Sequence, residues 1–438
     1  MGVCMKKFSF AVLITVFTVT LSFFSISSNA DAINLVIGDG DTTQWFKNTV
    51  KAYEVKYPER KVNIQIIGGT SNNYYTKLSL MLQSDSSIDV IFQDSFMLKS
   101  SVDSNSLAPI DIAKWNQWNE FYPALQKAVT INGKCYGVPV STDSRGLYYN
   151  LDIFKKAGIK MPWNPKSWND ILDTARQIKK KVPDVFPMTL NVAANGEATS
   201  MQTFEMLLYG TKTNNNLMKD GKWIATSQSI LDSLSFINTL FTERLTPRLG
   251  ILLNPEYGPS IMPTQLAPKQ KVGIILDGCW IQAYWEKKYK KTAKEYKFIP
   301  MPTEFGQAPG HITMSGGWLL AISSKSSRKK QSLDFIEFAL NKKNMIQFAI
   351  DVMNLATRKD VAASKQYPKS LDQATSFLKF SHFRPENENY PMVSAQIQNA
   401  VESVATDQAT PIGAMNIYAS ALERILGKKK IIKLYIAK

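Results

Sequence analysis

Residue types that react with a substrate are scarce in this chain of 438 residues, which holds two histidines, His311 and His382, and three cysteines, Cys4, Cys135 and Cys279. They are too far apart for zinc-ligand spacing. No Gly-x-Ser-x-Gly turn occurs, so an elbow presenting a serine nucleophile is not indicated. Asp39-x-Asp41 suggests a calcium loop, but the glycine and bidentate glutamate of such a loop are not at its spacing. Gly38-x-Gly40 lacks the third glycine of a dinucleotide-binding turn. A glycoside hydrolase would need two carboxylates facing each other across the bond, and nothing in the acidic residues marks an acid and a base. No cofactor and no metal is expected. What remains is a set of small polar clusters: Gly38-Asp39-Gly40-Asp41, Gly69-Thr70-Ser71 and Gln93-Asp94-Ser95. Such groups exchange hydrogen bonds without reacting, the chemistry of holding a hydroxyl-rich ligand.

Each cluster follows an apolar, β-rich stretch. Ile33 to Ile37, Val62 to Ile67 and Ile88 to Phe92 read as strands, and Thr43 to Tyr57 and Tyr74 to Gln83 as helices between them. This βαβαβ run predicts a mostly parallel sheet covered on both faces, with ligands beyond the carboxyl ends of the strands. Further on, Lys134 to Pro139 reads as a short strand, and Trp168 to Lys181 as an amphipathic helix capped by Ser167 or Asn169. Ser200 to Tyr209 and Ser227 to Glu243 are helical patterns around a polar loop, Gly210 to Gly221. Val272 to Leu276 is a strand leading into Asp277-Gly278-Cys279-Trp280 and a helix, and Leu319 to Ile322 another strand. Helical patterns over Gln331 to Leu340, Lys343 to Met353 and Ala414 to Leu426 follow, with no internal repeat.

At the N-terminus Lys6 and Lys7 precede an apolar run from Phe8 to Phe24, followed by Ser28-Asn29-Ala30 and Ala30-Asp31-Ala32. This is the pattern of a secretory signal peptide over residues 1–30, with a second cut site at 32. Export to the periplasm or the outer face of the cell envelope is expected. Cys4 lies before the apolar run, so lipidation is not. Cys135 and Cys279 remain after cleavage, as two buried thiols or one disulfide. The remaining ~400 residues exceed what one core usually supports, so two lobes are expected. The net charge of +16 falls to +14 once Lys6 and Lys7 are removed. The lysines are scattered, with denser runs only at Lys287 to Lys297 and Lys428 to Lys433, which reads as solvated faces and not as a nucleic-acid surface.

Longer motifs carry a resemblance. Tyr136-Gly137-Val138-Pro139, then the run from Thr142-Asp143-Ser144-Arg145-Gly146 to Ala157-Gly158, then Ser167-Trp168-Asn169-Asp170 resembles the crossover of the extracellular solute-binding proteins of sugar ABC importers, the maltose-binding-like family 1. Ile88-Asp89-Val90 is similar to its Pro-Asp-Val strand, Asp277-Gly278-Cys279-Trp280 to its Asp-Gly-Ser-Trp turn, and Ser315-Gly316-Gly317-Trp318 to its Gly-Gly strand entry. Ala356-Thr357-Arg358-Lys359 resembles a late segment where proline is usual before Arg-Lys. The resemblance runs from Ile33 to Leu426. It implies an α/β, two-lobed periplasmic-binding-protein fold with a cleft between lobes and strand crossovers as the hinge. Lobe 1 would comprise residues 33–141 and 288–340, and lobe 2 residues 142–287 and 341–438. It further implies a monomer without enzymatic activity that delivers a sugar to the transmembrane subunits of an ABC importer.

A sugar presents hydroxyls and weakly polar C–H faces, so its site needs planar polar groups and aromatic rings. The expected ligand-binding set is Asp39, Asp41, Thr70, Asp94, Asp143, Arg145, Trp280, Gly316, Gly317, Trp318 and Arg358. Glycines admit backbone amides to a ligand. Competing readings are a structural ion pair for Asp143 and Arg145, core packing for Trp280 and Trp318, an inter-lobe bridge for Arg358, and helix core for Trp45. The positive charge also fits an anionic ligand such as a glycerol phosphodiester. Mass spectrometry of exported protein is expected to find an N-terminus at Asp31 or Ile33; Phe8 to Phe24 retained in a membrane fraction would refute the cleavage.

Overall fold

Apolar runs too continuous to face water on one side become the inner strands of two sheets. The computed structural model describes residues 32–436 except 70, 85–86, 195, 214 and 255, so the leader segment and Thr70 lie outside the described residues. In chain order the strands used below are β1 (Ile33–Gly38), β2 (Val62–Ile67), β3 (Val90–Asp94), β4 (Val138–Thr142), β5 (Arg145–Asn150), β6 (Phe186–Thr189), β7 (Val272–Gly278), β8 (Tyr296–Ile299), β9 (His311–Met314) and β10 (Gly317–Ser323). The helices are α1 (Thr43–Lys56), α2 (Ser71–Ser84), α3 (Trp168–Lys181), α4 (Trp280–Lys288), α5 (Lys342–Val352), α6 (Tyr390–Ala405) and α7 (Pro411–Leu426). Among the described residues no helix is long and apolar enough to cross a membrane.

The first sheet runs β2-β1-β3-β10, with β4 also on β10. Its first three strands are parallel, Leu35 lying beside both Ile64 and Val90. The second runs β8-β5-β7-β6, in which only β7 and β6 are parallel. The expected parallel order therefore holds within β1 to β3 and fails where the chain changes sheets. Only Asp143 and Ser144 separate β4 from β5, too few for the helical crossover that a parallel neighbour requires. Strand β5 instead starts where β4 ends and joins the other sheet. Strand β10 likewise begins on its return from the second lobe and runs antiparallel to β3 and β4.

Two local features permit this exchange. A Cβ on Gly317 would lie 2.1 Å from the Ser141 carbonyl oxygen, so the return strand approaches β4 only with glycine there. Pro139, expected to end its strand, sits inside β4 opposite Leu319, beside a register shift between Trp318 and Leu319. A bulge is where a residue without an N–H is tolerated in a sheet. Further out, α3 starts on the expected cap: Ser167 Oγ accepts from the Asp170 N–H at 3.3 Å, and Asp170 Oδ2 accepts from the Ser167 N–H at 3.1 Å.

The boundaries expected from sequence need correction in two places. Tyr296–Ile299, expected in lobe 1, is the edge strand β8 of the second sheet, with Phe298 opposite Tyr148. Helix α5, expected in lobe 2, packs on α1: the rings of Phe348 and Trp45 meet edge to face at 4.9 Å, and Trp45 Nε1 donates to the Asn344 carbonyl at 3.3 Å. The chain stays with the first lobe for some 30 residues after β10 because its helices cover that sheet's exposed apolar face. Trp45 is core, as its helical position suggested. Cys135 and Cys279 are both buried and free.

Gly317→Ala is expected to lower stability by about 1–3 kcal/mol through overpacking at the crossing, read as a lower urea midpoint. An unchanged midpoint would mean that the two strands can separate enough to admit a methyl group.

Candidate functional site

The carboxyl ends of β1, β3, β4 and β7 and the starts of β5 and β10 meet between the sheets. At their centre is the Asp143 carboxylate, whose Oδ1 accepts from the Gly316 N–H at 2.8 Å and from Arg145 Nη1. Arg145, 5% exposed, also donates from Nη1 to the Met314 carbonyl at 3.1 Å, while its buried Nε has no hydrogen-bond partner among the described residues. Its guanidinium lies over the Trp280 ring, 4.9 Å from the centroid. That ring folds back across Gly278, where a Cβ would fall 2.0 Å from its atoms. The Asp-Gly-x-Trp spacing thus works through a missing side chain: glycine at 278 lets the tryptophan lie flat beside the arginine. Trp280 remains partly exposed.

The facing wall comes from the first sheet. Trp318 on β10 is partly exposed and stacks on Phe92 at 4.7 Å and on Tyr75 at 6.2 Å, so it is both part of the core and part of the cleft wall. Asp94 ends β3 and accepts from the Phe96 N–H at 3.2 Å. Asp39 and Asp41 lie exposed beyond β1, with Asp39 accepting from Thr43 Oγ1 at 3.2 Å. Of the residues predicted from sequence, Asp94, Asp143, Arg145, Trp280, Gly316, Gly317 and Trp318 converge here, and Asp39 and Asp41 stand at the rim.

Arg358 requires correction. It is fully buried: Nε and Nη2 bind the two oxygens of Asp360 at 3.0 and 2.8 Å, Nη1 donates to the Leu340 carbonyl at 2.9 Å, and the guanidinium lies 5.5 Å from the Phe121 ring centroid. All of its nitrogens are committed within the interior. The arginine that reaches the cleft beside Arg145 is Arg384. Its Nη2 donates to Asp94 Oδ1 at 2.5 Å, across from one lobe to the other, and its Nη1 to Glu197 Oε1 at 3.4 Å. Its guanidinium also lies 4.5 Å from the Phe96 ring centroid. Around this contact the lobes leave a crevice of about 30 Å³, lined in part by Phe96, Ser315, Arg384 and Glu386, space for a water or two. Arg384 lies in an irregular segment after Ser381–His382, and Glu197 in the helical residues that run directly into the wide helical turn Thr199–Phe204. No periodicity marks such positions, though wide turns of this kind often occur at functional sites.

Comparison with known proteins agrees with this architecture. The profile of the family described as bacterial extracellular solute-binding protein matches residues 48–374. A protein of Brucella abortus, named only as a binding protein, is 22% identical over 415 residues, 93% of this chain and 97% of its own length. A structure of an ABC transporter solute-binding protein from Thermotoga lettingae, bound with α-D-tagatose, is similar at a TM-score of 0.79, with 24% identity over 91% of this chain and 100% of that one. A maltose-bound protein of T. maritima gives a TM-score of 0.77, with 21% identity over 90% of this chain and 100% of that one. At these identities the structures establish a shared two-lobed fold.

Behind Arg384 the second lobe buries further acid. The Tyr390 hydroxyl lies 2.7 Å from Glu197 Oε1 and 2.6 Å from Glu205 Oε1, and Ser394 Oγ donates to Glu197 Oε2 at 2.6 Å. One phenolic hydrogen cannot serve two carboxylates. A protonated Glu205 resolves this by donating to the phenol oxygen, which leaves the phenol hydrogen for Glu197. Burial pushes the Glu205 pKa up to about 7, with Glu197 adding to the rise and Arg384 and Arg145 opposing it. Asp277 is likewise raised to about 6, mainly by burial. The folded state thus holds a proton on Glu205 that the unfolded chain releases near its ordinary pKa of 4.5. The resulting stabilisation is complete below that value and is lost as pH rises through about 7. Relative to Glu205→Gln, the parent is expected to lose about 3 kcal/mol between pH 5 and pH 8. Parallel pH profiles in denaturant melts would show that Glu205 is not the group responsible.

Proposed function

The chain belongs to the bacterial extracellular solute-binding protein family, and from that premise we propose that it captures a carbohydrate between its lobes and presents it to the transmembrane subunits of an ABC importer. The observation that carries the ligand class is the Asp143–Arg145 pair lying beside the partly exposed Trp280 ring, with the Trp318 wall opposite. A flat aromatic surface next to planar, fixed hydrogen-bonding groups fits the C–H face and hydroxyls of a sugar. The solved structures of similar fold were bound with tagatose and maltose, both sugars.

Charge separates this reading from an anionic ligand. Arg145 already faces Asp143, and Arg384 already faces Asp94 and Glu197. A phosphate or sugar acid entering here would meet guanidiniums already paired with carboxylates, and would have to displace a carboxylate to gain an arginine. A neutral polyol instead accepts from the arginines and donates to the acids without breaking their pairing. Export to the cell envelope, a monomeric state and binding without chemical turnover belong to the same reading. So does a hinge dividing the chain near 142–145, 314–317 and 355–358, which refines the expected lobe limits.

A panel of neutral sugars, sugar acids and glycerol phosphodiesters in thermal melts is expected to raise the melting temperature only with neutral sugars. Stabilisation by the anions alone would promote the phosphodiester reading. In calorimetry, Trp280→Ala and Arg145→Ala should each weaken the stabilising sugar by about 1–3 kcal/mol with circular dichroism preserved. Variants that fold and bind as the parent does would place the site elsewhere. Hydrolysis of the bound sugar above background would move the protein into the enzyme class.

A further inference from the structure

A basic face lies on elements that the cleft does not use. After α7 the chain turns through Lys428–Lys430 and continues as a strand, Ile431–Lys433, parallel to Lys222–Thr226 at the edge of a three-stranded sheet. Buried Ile431 anchors this strand. Lys428 and Lys433 both reach Glu423 of α7, at 3.3 and 3.4 Å, which gathers the helix end, the turn and the strand onto one side. Lys430 lies 3.8 Å from Glu388, while the exposed Arg424 and Lys429 pair with no carboxylate among the described residues. Five cations within residues 424–433 thus stand against two carboxylates. The negative end of a helix favours a lysine beside it, which accounts for Lys428. It does not account for the apolar groups among the cations. Tyr435, two residues after Lys433, is 79% exposed, and Ile417, two helical turns before Arg424 on the same face of α7, is 59% exposed; Ile425 is exposed as well. The other basic run, Lys287 to Lys297, displays its lysines without one exposed large apolar side chain.

We infer that this face rests reversibly on a bilayer that carries anionic phospholipid, with Arg424 and the lysines at the headgroups and Tyr435 in the interfacial layer. A cluster of four or more basic side chains is drawn to such a surface, and screening confines the attraction to about 10 Å, so it acts only when this face is turned to the membrane. A tyrosine ring, apolar in body and polar at its tip, suits the headgroup level. A soluble polyanion would engage the lysines and leave Tyr435 and the isoleucines in water; a bilayer interface takes up both. None of the cleft residues named above lies on α7 or on this strand, so a surface held here does not compete with a ligand for them. The contact is independent of the carbohydrate reading.

The test is co-sedimentation of the exported protein with phosphatidylcholine vesicles, with and without about 30% phosphatidylglycerol, at about 0.05 and 0.5 M salt. The parent should bind only the anionic vesicles and leave them at the higher salt. The triple variant Lys429→Gln, Lys430→Gln, Lys433→Gln should bind about tenfold more weakly or worse, whereas Lys290→Gln, Lys291→Gln, Lys294→Gln, which removes the same charge from the other run, should lose less than about twofold. Lys429→Gln alone, which breaks no ion pair, should lose about twofold or more, and Tyr435→Ser about threefold. Equal losses from the two triple variants would assign the binding to diffuse net charge and overturn the face. Binding to neutral vesicles as to anionic ones, binding to neither, or Tyr435→Ser binding as the parent does would overturn it too. A parent that binds soluble polyphosphate but no vesicle would give the lysines to a different partner and overturn the membrane contact.

Discussion

Two residues, Asp143 and Ser144, carry the chain from the first sheet to the second, and the shortness of that passage constrains everything around it. Because β4 and β5 cannot drift apart, their flanking groups are tied to the other passages between the lobes. Thr142 Oγ1 donates to the Gly316 carbonyl at 3.0 Å, the Arg145 N–H to Thr313 Oγ1 at 2.7 Å, and Ser144 Oγ to the Ala374 carbonyl at 2.9 Å. The Thr142 N–H also reaches the Leu355 carbonyl at 3.3 Å, where the chain returns a third time. Asp143 completes the knot by accepting from both Arg145 and Gly316. The side chains that face the cleft from this point are therefore placed by backbone connectivity, which is a stiffer support than packing alone.

This explains which parts of the site were legible in the sequence. Groups attached to strand ends or to the crossover, such as Asp94, Asp143, Arg145 and Trp280, sit where local pattern and motif predict, because a strand terminus fixes position in space. Arg384, Glu197 and Tyr390 were not legible. They converge from segments far apart in the chain, Arg384 from one without regular structure, and their meeting is decided by tertiary packing. Arg358 shows the reverse failure. Its sequence neighbourhood points to a conspicuous arginine, but only the fold reveals that Asp360, two residues on, takes up its fork. The lobe limits shifted for a related reason: strand type could be read locally, whereas the sheet each late strand joins depends on how the chain crosses.

Charge is organised on two scales that should be kept apart. The net charge of +16 comes from lysines spread over the surface, where screening confines each to its own neighbourhood within roughly 10 Å at ordinary salt. Inside the cleft the balance is reversed, with Asp94, Asp143 and Glu197 gathered around Arg145 and Arg384. Composition alone suggested an affinity for anions; the local arrangement argues against it. The protonation of Glu205 follows first from its burial and then from Glu197 beside it, since a further negative charge in this interior would be costly.

The inter-lobe contact of Arg384 with Asp94 is short and almost wholly buried, with side chains 4% and 15% exposed, and it invites description as a lock. Its net contribution to closure is nonetheless small by the ordinary physics of buried ion pairs. Both groups surrender hydration when the lobes meet, and the Coulomb attraction largely offsets that loss without greatly exceeding it. What the pair supplies is direction: a guanidinium seated against Phe96 and bonded to an acid on each lobe permits one closed arrangement and disfavours its neighbours. On this reading the free energy that favours closure comes from a ligand that touches both walls at once. The charged network determines which closed geometry that ligand must fit, and so converts a flexible hinge into a selective one.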